Sequence, residues 1–304
     1  MKKVISIEKL VKKYGKLAAV DGISFDVYQG EIFGLLGENG AGKTTTLEII
    51  EGLRKPTSGK ISILGHDIRH GIKDIKEQIG VQLQSSAYYN FLTLREILEL
   101  FASFYSTQMD PLKLLQMVHL EEKSNSYVNS LSGGQKQRFS IVASLVNDPQ
   151  IVFLDEPTTG LDPLARRNLW QVISDIKAKG KTIILTTHYM EEAEALCDRV
   201  AIMEKGKILT IGETHKLVGA THNPYRINFI TKKINTNLFN EISKFGEIKN
   251  LIGKANNFEL RLKTQKELNQ VLPLIQQLDP EGLIVGRSTL EDLFIQLTGK
   301  TIGE

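Results

Sequence analysis

The sequence predicts an α/β domain built around a phosphate-binding loop, followed by a smaller α+β domain. Three observations carry that expectation. Residues 37–44 read Gly-Glu-Asn-Gly-Ala-Gly-Lys-Thr and fit the pattern G-x-x-x-x-G-K-[ST] without a mismatch. The apolar residues 31–36 before the loop read as a buried strand, and residues 45–50 after it as the first turns of a helix. From about Asn223 onward, short strands and amphipathic helices follow in the order β-α-β-β-α-β, with one closing helix.

The loop has a definite chemistry. Gly37, Gly40 and Gly42 free the backbone to approach a polyphosphate, and the N–H groups and positive helix end then face its oxygens. Lys43 can reach β- and γ-phosphates, and the Thr44 hydroxyl can ligate Mg²⁺. The plain alternative is a glycine-rich turn that happens to contain Lys-Thr. The flanking strand and helix count against it.

Composition sets bounds. The chain has 304 residues, 41% of them hydrophobic, enough for one large and one small domain. It carries 38 Lys and Arg against 35 Asp and Glu, a net charge of +3, which argues against a large nucleic-acid footprint. Cys197 is the single cysteine, so no disulfide can form within the chain, as suits a reducing cytoplasm. Met1-Lys2-Lys3 is not followed by an apolar segment, and no run approaches the roughly 18 apolar residues that span a bilayer. If the protein works at a membrane, another polypeptide is expected to supply the membrane part.

Residues 4–10 and 20–28 alternate as half-buried strands on either side of a polar turn at Tyr14 and Gly15. A tyrosine here can stack on a base, although such a residue is more often a packing residue. Residues 53–59 read as a loop, 60–64 as a strand, and 79–84 as a strand ending at Gln84. Leu94, Ile97, Leu98, Phe101, Phe104 and Tyr105 form one apolar helical face, and Asp110-Pro111 starts a further helix through Val118. Residues 90–130 therefore read as a helical insertion. Ser132 resembles an N-cap for a helix over 136–146, and Gly133 and Gly134 beside it make a second potential anion site.

The apolar run 151–154 reads as a central strand ending in Asp155 and Glu156, where α/β sheets bind ligands. Asp155 can hold Mg²⁺ as the acidic partner of Thr44, and Glu156 can polarise a water toward a γ-phosphate. Solvated turn carboxylates are the alternative. Residues 157–163 read as a loop containing Asp162, 168–177 as a helix, and 182–187 as a buried strand ended by His188. A short helix follows over 190–197, then a hairpin of residues 199–203 and 207–211.

From Tyr14 to His188 these motifs resemble, in type, order and spacing, the nucleotide-binding subunit of an ABC transporter. Residues 37–44 match its Walker A loop, which with Thr45 implies ATP contacts from Gly37, Asn39, Gly40, Ala41, Gly42, Lys43, Thr44 and Thr45. Tyr14 falls at the adenine-stacking aromatic, Gln84 at the Q-loop glutamine, and Leu131-Ser132-Gly133-Gly134-Gln135 at the signature LSGGQ. Asp155 and Glu156 match Walker B with its catalytic glutamate, Asp162 the D-loop, and His188 the switch histidine. The resemblance implies an ABC cassette over residues 1–221, with a RecA-like core, an antiparallel β subdomain and a helical subdomain at about 90–140. It implies ATP with Mg²⁺ held by Thr44, Gln84 and Asp155, and catalysis by Glu156 with His188 and Gln84. It also explains the second anion site: two cassettes pair head to tail, and Ser132, Gly133, Gly134 and Gln135 of one close on the nucleotide of the other.

Residues 224–304 are expected as an accessory domain close to the ferredoxin-like pattern. Their ending, 288–299, is similar to the C-terminal segment of ATPases from the ABC-2 type exporter group, the daunorubicin-resistance-like cassettes. The implied partners are a second cassette, either another copy in a homodimer or a related cassette, and an ABC-2 type permease, at the cytoplasmic face of the membrane. The alternative reading is a soluble ABC ATPase acting on ribosomes or DNA. A single Walker A loop and a compact helical insertion favour the transporter.

Overall fold

The computed structural model describes residues 2–82, 88–250 and 256–299. It divides into two compact units, Met1–Glu213 and Thr214–Glu304.

The first unit opens with a hairpin of β1 (Lys3–Tyr14) and β2 (Leu17–Tyr28). Then come β3 (Ile32–Leu36), α1 (Lys43–Ile50), β4 (Ser58–Ile63), β5 (His66–Asp67), α2 (Ile72–Gln78) and β6 (Ile79–Gln82). The helical region carries α3 (Leu94–Ala102), α4 (Pro111–Gln116) and α5 (Gly133–Ala143). The unit closes with β7 (Ile151–Asp155), α6 (Pro163–Ala178), β8 (Thr182–Thr187), α7 (Met190–Leu196), β9 (Arg199–Glu204) and β10 (Lys207–Glu213).

Two sheets result. One is antiparallel, in the order β2-β1-β4-β5. The other runs β10-β9-β3-β8-β7-β6, parallel throughout except for β10 at its edge. β3, β7 and β8 are buried along their whole length, which is why they read as unbroken runs and not as alternating ones. The sheets share one core, in which Phe25 of β2 stacks on Phe33 of β3 at 5.1 Å between ring centroids. Burying one such side chain stabilises the fold by roughly 1.5–3 kcal/mol.

The register sets Leu36 beside Thr187 and Asp155 beside Thr186. The carboxyl ends of β3, β8 and β7 therefore share one edge, the place where parallel sheets bind ligands.

In the helical region α3 is capped by a Thr93/Glu96 box, and Asp110 caps α4 with Pro111 in its first turn. α3 ends at Ala102, so Phe104 lies past the helix and is exposed, whereas the spacing placed it on the apolar face. Helix α6 starts at Pro163, five residues before its expected start, because Asp162 caps it. Helix α2 was not foreseen: one buried residue, Ile75, gives it no periodic signal.

The second unit contains α8 (Thr214–Gly219), β11 (Tyr225–Ile230), α9 (Thr236–Ile242), β12 (Glu247–Asn250), β13 (Asn257–Leu262), α10 (Gln265–Gln276), β14 (Glu281–Arg287) and α11 (Leu290–Thr298). Its sheet is antiparallel in the order β12-β13-β11-β14. Ile227, Phe229, Leu260 and Leu262 of the sheet meet Ile242, Leu268, Val271 and Ile275 of α9 and α10 in a separate core. Residues 214–219, expected at the end of the cassette, form α8 and pack with α11.

Candidate nucleotide site

The phosphate loop joins the end of β3 to the start of α1. A Cβ at Gly37 would stand 2.3 Å from the Met203 carbonyl oxygen. Gly42 has φ +101°, and a Cβ there would meet the Ala19 carbonyl at 2.4 Å, so both positions demand glycine. Asn39 and Gly40 lie exposed on the rim, Ala41 is buried, and Thr45 is half-buried in the first turn of α1. The Gly37 N–H donates to the Thr187 carbonyl at 3.3 Å, and the Gly206 N–H donates to the Ala41 carbonyl at 2.9 Å. The β9–β10 turn thus holds the loop, a role that the hairpin reading of Gly206 did not show.

Lys43 is nearly fully buried. Its Nζ donates to the Gly37 carbonyl at 2.9 Å and the Glu38 carbonyl at 3.0 Å, and lies 3.5 Å from Glu156 Oε1. Burial draws its pKa down against the raising effect of the Glu156 and Asp155 charges. The Thr44 hydroxyl donates to Asp155 Oδ1 at 3.2 Å, and the Thr186 hydroxyl donates to the same oxygen. Burial pushes the Asp155 carboxyl up, opposed by these two hydrogen bonds.

Glu156 leaves β7 at φ +46°, a left-handed conformation uncommon away from glycine and held here by the contacts around it. Its N–H donates to Thr186 Oγ1 at 3.0 Å, and its Oε2 accepts from the Thr159 hydroxyl at 3.1 Å. His188 Nδ1 lies 3.2 Å from the same Oε2. Burial alone would raise the Glu156 pKa, but Lys43 and His188 outweigh it and hold the carboxyl below its ordinary value. Thr186 and Thr159 were not singled out from the sequence. For Thr186 the available signal was a hydroxyl in a buried strand, which needs a partner; Thr159, exposed in the turn after β7, carried no such signal.

A second cluster forms at the starts of α5 and α6. Ser132 and Gln135 make a reciprocal capping box, with Gly133 and Gly134 in the first turn of α5. Asp162 Oδ1 accepts from the Leu164 and Ala165 N–H groups, each at 3.0 Å. These five residues line a cavity of about 410 Å³ together with Arg138 and Gly160. Among the described residues no hydrogen bond or ion pair links Ser132, Gly133, Gly134 or Gln135 to Lys43, Thr44, Asp155 or Glu156.

Tyr14 stands half exposed at the end of β1, with Lys12 Nζ 5.1 Å and the Arg54 guanidinium 5.6 Å from its ring centroid. Gln84 lies outside the described residues.

A glycine cradle with a buried lysine, a hydroxyl facing a strand-end carboxylate, and a second carboxylate beside a histidine define a P-loop nucleotide-binding protein. Comparison with known proteins carries this further. The family described as ABC transporter matches residues 20–159. Nod factor export ATP-binding protein I of Ralstonia nicotianae is 40% identical over 220 residues, covering 71% of this chain and 68% of the relative. The protein of that name from Rhizobium sp. is 42% identical over 222 residues, covering 71% and 73%. A solved ATP-binding subunit of an ABC transporter superposes with TM-score 0.64 at 33% identity, covering 70% of this chain and 91% of the other. A dimeric bacterial ABC transporter cassette gives TM-score 0.63 at 29% identity, covering 69% and 98%. The chain belongs to the family of ABC transporter ATP-binding proteins.

Proposed function

We propose that this chain binds and hydrolyses ATP and thereby drives a separate ABC-2 type permease in export, from the cytoplasmic face of the membrane. The observation that carries the reading is the convergence of Lys43, Thr44, Asp155, Glu156 and His188 at one sheet edge. The relatives favour export over action on ribosomes or DNA, since those named above are export ATP-binding proteins. Among the described residues no helix is long and apolar enough to cross a membrane, so the crossing falls to the permease. The exported substrate would be a drug, peptide, lipid or other amphipathic molecule, selected by the permease.

Each residue takes a role from its geometry. The amides of residues 37–45 and the Lys43 ammonium bind the phosphates. Tyr14 offers its ring face to the base. Thr44 Oγ1 and Asp155 Oδ1, 3.2 Å apart, are two hard oxygen donors and fit Mg²⁺. Gln84, outside the described residues, is proposed as a further donor from its motif position alone. The burial that raises the Asp155 pKa is a second mark of that fit, because a cation there would hold the carboxylate ionised. Bound Mg²⁺ would neutralise charge on the β- and γ-phosphate oxygens. Glu156 holds the attacking water and accepts its proton, and His188 fixes the Glu156 carboxylate.

The cavity of Ser132, Gly133, Gly134, Gln135 and Asp162 is the surface offered to a second cassette, whose γ-phosphate would meet the N-terminus of α5. Residues 1–221 would act as the cassette and 224–304 as its accessory domain.

The test is ATP hydrolysis by the purified chain, alone and with a co-expressed ABC-2 type permease. Hydrolysis lost in Glu156→Gln and stimulated by the permease is expected. An absence of Mg-dependent turnover refutes the enzyme, and turnover indifferent to any co-purified permease refutes the exporter.

A further inference from the structure

β8 ends at Thr187 and α7 begins at Met190, so His188 and Tyr189 alone make the turn between them. Successive side chains of a strand point to opposite faces. At this turn the two neighbouring rings meet instead, with centroids 4.1 Å apart and planes tilted by 42°. The Tyr189 N–H donates to Thr187 Oγ1 at 2.9 Å, which fixes the backbone there. From α6 the Arg166 guanidinium stands 4.2 Å from the centroid of the Tyr189 ring, close enough for attraction between a cation and a π face. Its Nε is buried and makes no hydrogen bond among the described residues, so the ring face receives the group.

α6 and α7 are fastened at a second point. Trp170 follows Arg166 by four residues and so shares its face of α6. Its Nε1 donates to Glu192 Oε1 at 3.1 Å, and Glu192 is fully buried. Burial pushes the Glu192 carboxyl up, against the Thr187, Thr158 and Trp170 donors and the Arg166 charge. Arg166 itself sits in the first turn of α6, where its N–H donates to the Asp162 carbonyl at 2.9 Å. Tyr189 is therefore held from two helices at once.

His188 needs such a support. Its Nδ1 lies 3.2 Å from Glu156 Oε2, and a contact of that kind weakens steeply as the ring turns. The outer torsion of a histidine is broad and does not by itself set the ring plane.

We propose that Tyr189 is the positioning residue of His188: its ring, pinned by Arg166 and steadied by the Trp170–Glu192 tie, fixes the imidazole plane so that Nδ1 faces the Glu156 carboxylate. The printed contacts of Tyr189 run to Thr187, His188 and Arg166, and none runs to Lys43, Thr44, Asp155 or Glu156. It acts on the reaction through His188. The inference rests on the hydrolytic role given above to Glu156 and His188.

Turnover, Mg-ATP affinity and the imidazole nitrogen NMR shifts of the full chain test this, with the His188 signals assigned by their loss in His188→Gln. Tyr189→Ala should lower kcat roughly ten- to a hundredfold, the cost of a misplaced group, at nearly unchanged affinity and melting temperature. In the neutral imidazole it should also replace one dominant tautomer, with the proton on Nδ1, by a mixture. Tyr189→Phe should restore both readouts, because the ring face and not the hydroxyl does the positioning. Tyr189→Leu fills the space without a π face and should behave as the alanine variant, which keeps the comparison open if that variant fails to fold. Arg166→Met should give the same two changes in smaller measure. Parental turnover or parental His188 signals in Tyr189→Ala and Tyr189→Leu, an equal loss in Tyr189→Phe, or an unchanged Arg166→Met would each overturn the proposal. A parent chain without turnover would sink the hydrolytic reading instead, and the nitrogen shifts, read without nucleotide, would still decide whether Tyr189 orients His188.

Discussion

Lys43 Nζ lies 3.5 Å from Glu156 Oε1, with both side chains more than nine-tenths buried. The cation proposed to bind phosphate thus neutralises the carboxylate proposed to hold the attacking water. Removing one partner of a buried pair leaves the other uncompensated. An incoming polyphosphate would compete for Lys43 and leave Glu156 to His188 and Thr159, so phosphate binding and release of the carboxylate become one event.

Lys43→Ala should therefore do two things. Nucleotide affinity should fall by roughly 10²-fold or more, as for loss of one partner in a buried charge pair. The Glu156 pKa should rise, because its strongest lowering charge is gone. Calorimetry on the folded variant checks the first and carboxyl NMR the second. Unchanged affinity would remove Lys43 from the site.

Glu156→Gln should keep nucleotide binding and lose hydrolysis by roughly 10²–10⁴-fold, since an amide cannot take the proton of the attacking water. Bound ATP should then persist and hold two copies together through the Ser132 cavity. Size-exclusion with and without Mg-ATP reads this out, and a nucleotide-independent monomer with wild-type turnover contradicts it.

Glu51 at the end of α1 gives a pH dependence. Burial first, then the charges of Asp155 and Glu48, push its carboxyl up to about 8 from an ordinary 4.5. Between those values the native chain holds a proton that the unfolded chain has lost. Its stability therefore falls as pH rises through that window and levels off above it. Glu51→Gln removes the titration. The variant should match the parent near pH 4.5 and be more stable by pH 8, by on the order of a few kcal/mol, as read from thermal melts. A gain that does not grow with pH counts against the buried, protonated carboxyl.

Gly42→Ala and Gly40→Ala separate strain from crowding. Both glycines have positive φ, +101° and +82°, but only Gly42 would drive a Cβ into backbone, at Ala19. The Gly42 variant should lose roughly 1–3 kcal/mol, clearly more than Gly40→Ala, and should bind nucleotide more weakly. Thermal melts of the two variants decide it, and equal losses would mean that φ alone sets the cost.

A chain ending at Thr221 should fold and bind Mg-ATP with affinity close to the full chain's. Every residue proposed to contact nucleotide precedes it, and of the second unit the truncated chain keeps only α8, which takes no part in that unit's core. Melting together with calorimetry tests this. Cooperative melting without nucleotide binding would place part of the site after Thr221.

The sequence by itself determined the elements that have a strong local signal. The phosphate loop, the unbroken strands β3, β7 and β8, the Ser132 cap and the strand-end pair Asp155-Glu156 are all written in neighbouring residues, because glycine, capping and burial leave a short-range pattern. The sequence also carried the alternating grammar of the second unit. It did not carry α2, α8 or the early start of α6, whose few buried residues make no period. Nor could it order the sheet or find the contacts that the order creates. Thr186 meets Asp155, Gly206 meets Ala41, and Lys43 meets Glu156 only because β9, β3, β8 and β7 lie side by side with their carboxyl ends at one edge. Those pairs are 31, 165 and 113 residues apart along the chain. Over such separations the pairing of strands and the need to satisfy buried charge decide which residues meet, and only the tertiary structure expresses both.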